Sequence, residues 1–166
     1  MEVRIDTQEK KLLLLENRSE LLDSFLSSSN NLGNESLKVD HQLFTEAANK
    51  RNIQFEFIRM KTCKLDRISL DISNAKNALL EADYAIADSG LLVVDTLDPD
   101  VLLTVFLAET LHVVVPASKI LHSMDDFELI TGKPASIIGR GIASLSGSKN
   151  RNYTMTRTMV YVLDDI

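Results

Sequence analysis

The stretch from Tyr84 to Pro116 restricts the fold of this chain more than any other part. Two apolar runs surround the polar triplet Asp88-Ser89-Gly90, and a helix-start signal and the apolar run 111–115 follow. Glycine at the end of the triplet suits a turn that needs a positive φ. Strand, turn, strand, helix and strand in this order are typical of an α/β core.

The helix-start signal consists of three consecutive residues. Asp98 is the candidate N-cap, Pro99 suits the first helical position, and Asp100 adds a carboxylate to the first turn. The run 111–115 is short and mostly β-branched, which is typical of a strand buried on both faces. His112 within this run is predicted to be a hydrogen-bonded core or interface histidine rather than a metal ligand.

Elements on either side extend the alternation of helices and strands. Apolar spacing predicts helices over 7–26, 40–50, 73–80 and 123–132, and strands over 53–60, 135–138, 142–145 and 158–163. The Ser/Asn-rich segment 27–34 is typical of a loop or linker. We therefore predict an N-terminal amphipathic helix with its linker over 1–34, and over 35–166 a single α/β domain. Its mostly parallel central sheet is flanked by helices.

Composition narrows the classes of protein to which the chain can belong. Its 166 residues are an ordinary length for one domain, and the single cysteine, Cys63, permits neither an internal disulfide nor an iron–sulfur cluster of its own. The three histidines lie far apart with no ligand spacing, so no metal or other cofactor is predicted. No run resembles a signal peptide or a transmembrane helix, and we expect a cytoplasmic protein without membrane contact.

Charge is unevenly distributed along the chain. The net charge is −6, yet the segment 129–163 has no acidic residue and carries five cations: Lys133, Arg140, Lys149, Arg151 and Arg157. An acidic protein with one basic segment does not favour nucleic acid as a partner. The segment either attracts a small anion or faces acidic residues elsewhere in the fold or on a partner.

Two polar loops are the candidate binding sites. Asp88, the candidate catalytic residue, and Ser89 and Gly90 lie at the end of a buried strand, where sheets commonly bind ligands. An ordinary hairpin turn uses the same residue types for local reasons. The second loop contains Ser146, Gly147, Ser148, Lys149 and Arg151, and with Arg140 it suits a carboxylate or phosphate; a solvated loop is the alternative.

These loops occur in an order that resembles the LUD-domain family, the lactate-utilisation C-like proteins. The sequence AIADSG-LLVVD over 85–95 is similar to that family's AIAETGT-LVL, and LHVVVPASKI over 111–120 is similar to HIAVVPASRIV. Ser146-Gly147-Ser148 stands where the family has SGPS. The resemblance covers roughly residues 41–165 and makes the chain a divergent, shortened member.

The resemblance implies a fold like glucosamine-6-phosphate deaminase, ribose-5-phosphate isomerase and CoA transferases. It also implies an accessory role in oxidising lactate or a related organic acid beside iron–sulfur oxidoreductase subunits. Asp88 replaces the family's longer Glu, Leu91 replaces a hydroxyl residue, and Asn152–Met155 replaces a run with two acidic groups. Three functions therefore stay open. The protein is an accessory subunit, or a binding module for a small anionic metabolite such as an organic acid, CoA or sugar phosphate. The third alternative is a scaffold that forms a homodimer through its N-terminal helix.

Overall fold

The computed structural model describes residues 7–50, 55–62, 76–96, 98–133, 136–138, 142–144 and 157–164. Its helices are α1 (Thr7–Asn31), α2 (His41–Asn49), α3 (Pro99–Leu107) and α4 (Met124–Thr131). Its strands are β1 (Glu35–Asp40), β2 (Phe57–Arg59), β3 (Asn77–Glu81), β4 (Tyr84–Ile86), β5 (Leu92–Val94), β6 (Thr110–Pro116), β7 (Ile120–Leu121), β8 (Ser136–Ile138), β9 (Ile142–Ser144) and β10 (Arg157–Asp164). None of these helices is both long and apolar enough to span a membrane.

Ten strands form two sheets of five within the described part of the chain. The main sheet has the order β1-β10-β6-β3-β2 and is parallel throughout. The predicted α/β fold with a mostly parallel central sheet flanked by helices is confirmed. A second, mixed sheet with the order β7-β4-β5-β9-β8 was not anticipated. Only two residues, Ala82 and Asp83, separate β3 of the main sheet from β4 of the second sheet.

Apolar side chains cover both faces of the main sheet. On one face, α1, α3 and strands of the second sheet form the larger cluster, in which Phe25, Phe57 and Val113 are fully buried. On the other face, α2 packs over Leu79, Val114 and neighbouring residues. Strand β6 is buried from Leu111 to Pro116, as expected of a central strand in a parallel sheet.

The predicted helix ends follow from local hydrogen bonding. The Asp98 carboxylate accepts from the backbone N–H of Asp100 at 2.9 Å, and Pro99 is the first residue of α3. The Ser123 hydroxyl accepts from the backbone N–H of Asp126 at 3.3 Å at the start of α4. Gly132 ends α4 with φ 68°. The predictions for the start of α3 and for both ends of α4 are confirmed.

The predicted helix from Ser73 to Leu80 is wrong where the structure describes it. Asn77–Glu81 is strand β3, which pairs with β2 on one side and β6 on the other. Ala78, Leu79 and Leu80 are buried on alternate faces of the sheet. A short apolar run fits a helix or a strand equally well in sequence, and here the pairing on both sides decides. Ser73 itself lies outside the described residues.

The prediction of a loop at 27–34 is wrong over its first five residues, because α1 continues to Asn31. The polar side chains there serve the helix end: the Ser29 hydroxyl, fully buried, contacts the Asn34 amide at 3.1 Å and the Ser36 hydroxyl at 2.6 Å. These side chains therefore bond to one another around the end of the helix, which an interpretation of the composition as a loop does not anticipate. A division of the chain at residue 34 stays a prediction, although Leu22 and Phe25 of α1 belong to the larger cluster.

His112 is buried in β6, as predicted for a hydrogen-bonded core histidine. Its Nδ1 lies 3.0 Å from the Tyr161 hydroxyl, and 6% of the residue is exposed. Burial, and secondarily the positive charge of Arg157, lower the pKa of His112 below its ordinary value of 6.5.

This depressed pKa predicts an acid-sensitive fold. As the pH falls below about 6.5, the unfolded chain binds a proton at this position more readily than the native state, so the free energy of unfolding decreases. We expect His112→Gln to reduce this loss between pH 7.5 and pH 5, as measured by urea unfolding. The exposed His122 supplies the control, and an equal effect of His122→Gln would contradict the assignment.

Candidate functional site

The carboxyl ends of β2, β3 and β5 meet at one place, where the main sheet passes into the second sheet. Strands β2 and β3 are parallel neighbours, and the residue after β5 donates a hydrogen bond to the segment that follows β3. Ligands of open α/β sheets bind outside the carboxyl ends of the strands. We call the charged and hydroxyl side chains here the carboxyl-edge cluster: Arg59, Lys61, Thr62, Glu81, Asp83, Asp95, Asp98 and Lys133.

Asp83 holds the centre of the carboxyl-edge cluster. Its Oδ2 accepts from the backbone N–H of Asp95 at 2.6 Å, and its Oδ1 contacts the Lys61 Nζ at 2.5 Å. Its own backbone N–H donates to the Val93 carbonyl at 2.8 Å. Only 16% of the Asp83 side chain is exposed. These bonds fix the carboxylate between the two sheets and hold the Lys61 ammonium against it.

Glu81 fixes the segment that follows β2. Its carboxylate accepts from the backbone N–H of Thr62 at 2.9 Å and from the Thr62 hydroxyl at 2.6 Å. The residue is buried, with 6% exposure, so both bonds lie in a region of low dielectric. Glu81 and Asp83 lie two residues apart and hold two consecutive residues that follow β2: Glu81 binds Thr62, and Asp83 binds Lys61.

The two other cations of the cluster are also held by carboxylates. The Arg59 guanidinium lies 2.7 Å from the Asp98 Oδ2, while the other oxygen of Asp98 caps α3. The Lys133 Nζ lies 3.2 Å from the Asp95 Oδ2. The side chains of Arg59, Lys61 and Lys133 are 44%, 55% and 58% exposed. Each cation has more donors than its carboxylate uses, so each can also donate to an anion from solvent.

The triplet Asp88-Ser89-Gly90 forms the tight turn of the hairpin between β4 and β5. The Ile86 N–H donates to the Leu91 carbonyl and the Gly90 N–H donates to the Ile86 carbonyl, both at 2.8 Å. The Ser89 hydroxyl accepts from the Leu91 N–H at 3.3 Å, and Asp88 is exposed. The backbone of this triplet therefore has the conformation of an ordinary hairpin turn, which was one of the two interpretations of the sequence. A role for Asp88 in catalysis stays a prediction.

A depression of about 460 Å3 lies beside this hairpin. It is lined by Glu20, Leu21 and Ser24 of α1, by Ala87, and by His122 before α4. The Ser24 hydroxyl donates to the Ala87 carbonyl at 3.4 Å, which joins α1 to the base of the turn. The concavity near Asp88 is thus bordered by α1 and by the segment between β7 and α4.

The second predicted loop falls outside the described residues. This applies to every one of its candidates: Arg140, Ser146, Gly147, Ser148, Lys149 and Arg151. Strand β9, which precedes the loop, is parallel to β5 and places Ser144 opposite Val94. Ser144 therefore lies at the end of β5 next to Asp95, whereas the Asp88 hairpin precedes the other end of β5. A meeting of Asp88 with the second loop stays a prediction.

Sequence reasoning missed Glu81, Asp83 and Lys61. The sequence did contain a signal for them, because Glu81-Ala82-Asp83 follows an apolar run, as the Asp88 triplet does.

Both described cations of the basic segment 129–163 face acidic residues: Lys133 pairs with Asp95, and Arg157 pairs with Glu35 at 2.7 Å. For these two cations, the interpretation that they face acids elsewhere in the fold is confirmed. No group of three or more potential metal ligands is found among the described side chains.

Comparisons with known proteins find a crystal structure with a similar fold. No protein-family model and no curated protein sequence matches the chain. A crystal structure of a DUF162 family protein from Deinococcus radiodurans is similar, with a TM-score of 0.60 and 14% sequence identity. The match covers 89% of this chain and 98% of that chain. The chain therefore has the fold of a protein from DUF162, the family of LUD-like domains.

Proposed function

We propose that the protein binds a small organic acid at the carboxyl-edge cluster. The observation that carries the proposal is that Arg59, Lys61 and Lys133 are about half exposed and are each held by a carboxylate near the carboxyl ends of β2, β3 and β5. Cations held in place lose less side-chain entropy when they bind a ligand. A carboxylate group on the ligand supplies the charge-assisted acceptors that such donors favour.

The number of carboxylates in the cluster favours a singly charged hydroxy acid over a larger polyanion. Lys61 and Lys133 are joined through Asp83 and Asp95, because the Asp95 N–H donates to Asp83. We infer that a ligand carboxylate contacts Lys61 or Lys133 and that an adjacent hydroxyl donates to Asp95, whose side chain is 44% exposed. The four carboxylates of the cluster repel a second anionic group. L-lactate has the required carboxylate, hydroxyl and single charge.

The wider role we propose is that of an accessory component in the oxidation of lactate or a related organic acid. The resemblance of the segments 85–95 and 111–120 to LUD-domain motifs suggests this role, and the fold shared with a DUF162 family protein is consistent with that resemblance. In this role the protein presents the acid to iron–sulfur partner subunits, which carry the electrons. Affinity purification of the tagged protein from its own cells tests this role. Recovery of an iron–sulfur oxidoreductase supports it, and recovery of the protein without any such subunit counts against it.

Replacing Lys61 with glutamine is the sharpest test of the proposed binding site. We expect the affinity for L-lactate, measured by isothermal titration calorimetry, to fall about tenfold, because one charge-assisted hydrogen bond to the ligand is lost. Propionate, which lacks the hydroxyl, is expected to bind the wild-type protein more weakly than L-lactate. A ligand that binds the native state also raises its melting temperature, which gives a second readout.

Lys38→Gln is the matched control. Lys38 also pairs with an aspartate, Asp164, at 3.2 Å, and its side chain is 50% exposed, but it lies on β1 at the far edge of the main sheet. We expect this variant to bind L-lactate as the wild-type protein does. If neither L-lactate nor another small organic acid binds, or if the two variants lose affinity equally, the carboxyl-edge cluster is not the site.

A further inference from the structure

A pocket of about 450 Å3 lies between α2 and the second face of the main sheet. Its volume falls within the range of small-molecule sites. The two smallest side chains of α2, Ala47 and Ala48, face it, so the helix leaves room above the strands. Apolar and aromatic side chains form the rest of the wall: Val39, Phe44, Phe55, Leu79 and Tyr161. None of these residues belongs to the carboxyl-edge cluster.

The aromatic side chains of this wall are held in place by one another. The rings of Phe44 and Tyr161 lie 5.4 Å apart, and the Tyr161 ring stacks on His112 with centroids 5.9 Å apart. The hydrogen bond between the Tyr161 hydroxyl and the His112 Nδ1 fixes the orientation of the tyrosine. Phe55 meets His112 edge to face at 5.1 Å. A rigid aromatic wall of this kind suits a flat or branched apolar group.

Two charged residues line the pocket: Glu46 on α2, and Lys50, which directly follows the last residue of that helix. The Glu46 carboxylate accepts from the Gln42 amide at 3.3 Å and therefore has a partner on its own helix. The Lys50 ammonium has no ion-pair partner within the described part of the chain, and the residue is exposed. The neutral Gln42 amide leaves Glu46 its negative charge, so the pocket carries one charge of each sign and Lys50 is its cationic donor for a ligand carboxylate. Leu43, 62% exposed, adds apolar surface beside it.

We propose that this pocket binds a small apolar monocarboxylate, with its aromatic or branched aliphatic body against the wall and its carboxylate at Lys50. The carboxylate of Glu46 disfavours a second anionic group. Burial of the apolar body supplies most of the affinity, and Lys50 selects the sign of the charge. The proposal adds a second site to that of the carboxyl-edge cluster and differs from it in ligand class, since L-lactate has no apolar body of this size.

Phenylacetate is the probe for this site, and amide NMR spectra of the full chain report where it binds. We expect its shifts to concentrate on α2, β1 and β10. Filling the pocket through Ala47→Leu, at an exposed helical position, is expected to weaken phenylacetate binding about tenfold or more, because the new side chain occupies the space of the ring. Ala47→Ser keeps the side chain small at the same exposed position and is expected to leave the affinity within about twofold.

Lys50→Gln tests the charge separately from the shape. It is expected to weaken phenylacetate about fivefold and to leave the neutral 2-phenylethanol unchanged, since an exposed ion pair contributes modestly. Lys61→Gln should not affect phenylacetate, which separates this site from the carboxyl-edge cluster. Phenylacetate shifts outside the pocket, full affinity in Ala47→Leu, or equal binding of 2-phenylethylamine would overturn the proposal.

Discussion

Replacing Gly90 with alanine is expected to destabilise the native state by about 3–5 kcal/mol. A Cβ atom at this position would lie 2.6 Å from the Ser28 carbonyl carbon and the Ser29 nitrogen, and 2.8 Å from the Ser28 oxygen. These are backbone atoms of α1, so no change of rotamer relieves the clash. The φ of +77° adds the strain of a left-handed conformation. Urea unfolding followed by circular dichroism measures the loss.

Gly132→Ala separates the clash from the backbone strain. Gly132 has a similar φ of +68°, but a Cβ atom there would meet no atom of the described residues within 4 Å. We expect this variant to lose about 1–2 kcal/mol, the cost of the left-handed conformation alone. Equal losses in the two variants would show that α1 does not pack against the hairpin as described.

The second large effect is expected from Phe25→Ala, with a loss of about 3–5 kcal/mol. Phe25 is fully buried where α1 joins the larger cluster of the main sheet, and the tightly packed surroundings cannot collapse into the space that its ring leaves. A loss of this size lowers the melting temperature of a chain this long by roughly 10 °C. Differential scanning calorimetry measures both quantities.

Leu32→Ala is the control for Phe25→Ala, because Leu32 follows α1 directly and is 39% exposed. We expect it to lose about 1 kcal/mol or less. A Phe25→Ala variant as stable as the wild-type protein would mean that α1 is an appendage, and would support a division of the chain at residue 34. A large loss would make α1 part of the same folding unit as the sheets.

Features determined by local chemistry could be predicted from the sequence. Asp98 and Ser123 cap their helices with their own side chains, and Gly132 ends α4, because each needs only neighbours within four residues. The same holds for the turn at Gly90. Strand β6 was also predictable, since five consecutive residues with mostly β-branched side chains fit few other environments.

Features that depend on partners distant in sequence could not be predicted. Nothing within Asn77–Glu81 shows that β2 and β6 lie on either side of it, and without those neighbours the run fits a helix. The carboxyl-edge cluster depends on this strand. Asp83 contacts Lys61 and Asp95, which are separated from it by 22 and 12 positions, so the grouping appears only once the strands are paired.

The order of strands in the main sheet has a consequence for biosynthesis. Strand β10 is the last described strand in the chain, yet it lies between β1 and β6, and Glu35 pairs with Met159. In a nascent chain, the backbone groups of β1 and β6 that pair with β10 therefore have no strand partner until residue 164 has left the ribosome. Such edges recruit other chains, and contacts this distant in sequence form slowly. A stop codon ahead of residue 157 should accordingly convert the product into inclusion bodies rather than a smaller folded protein.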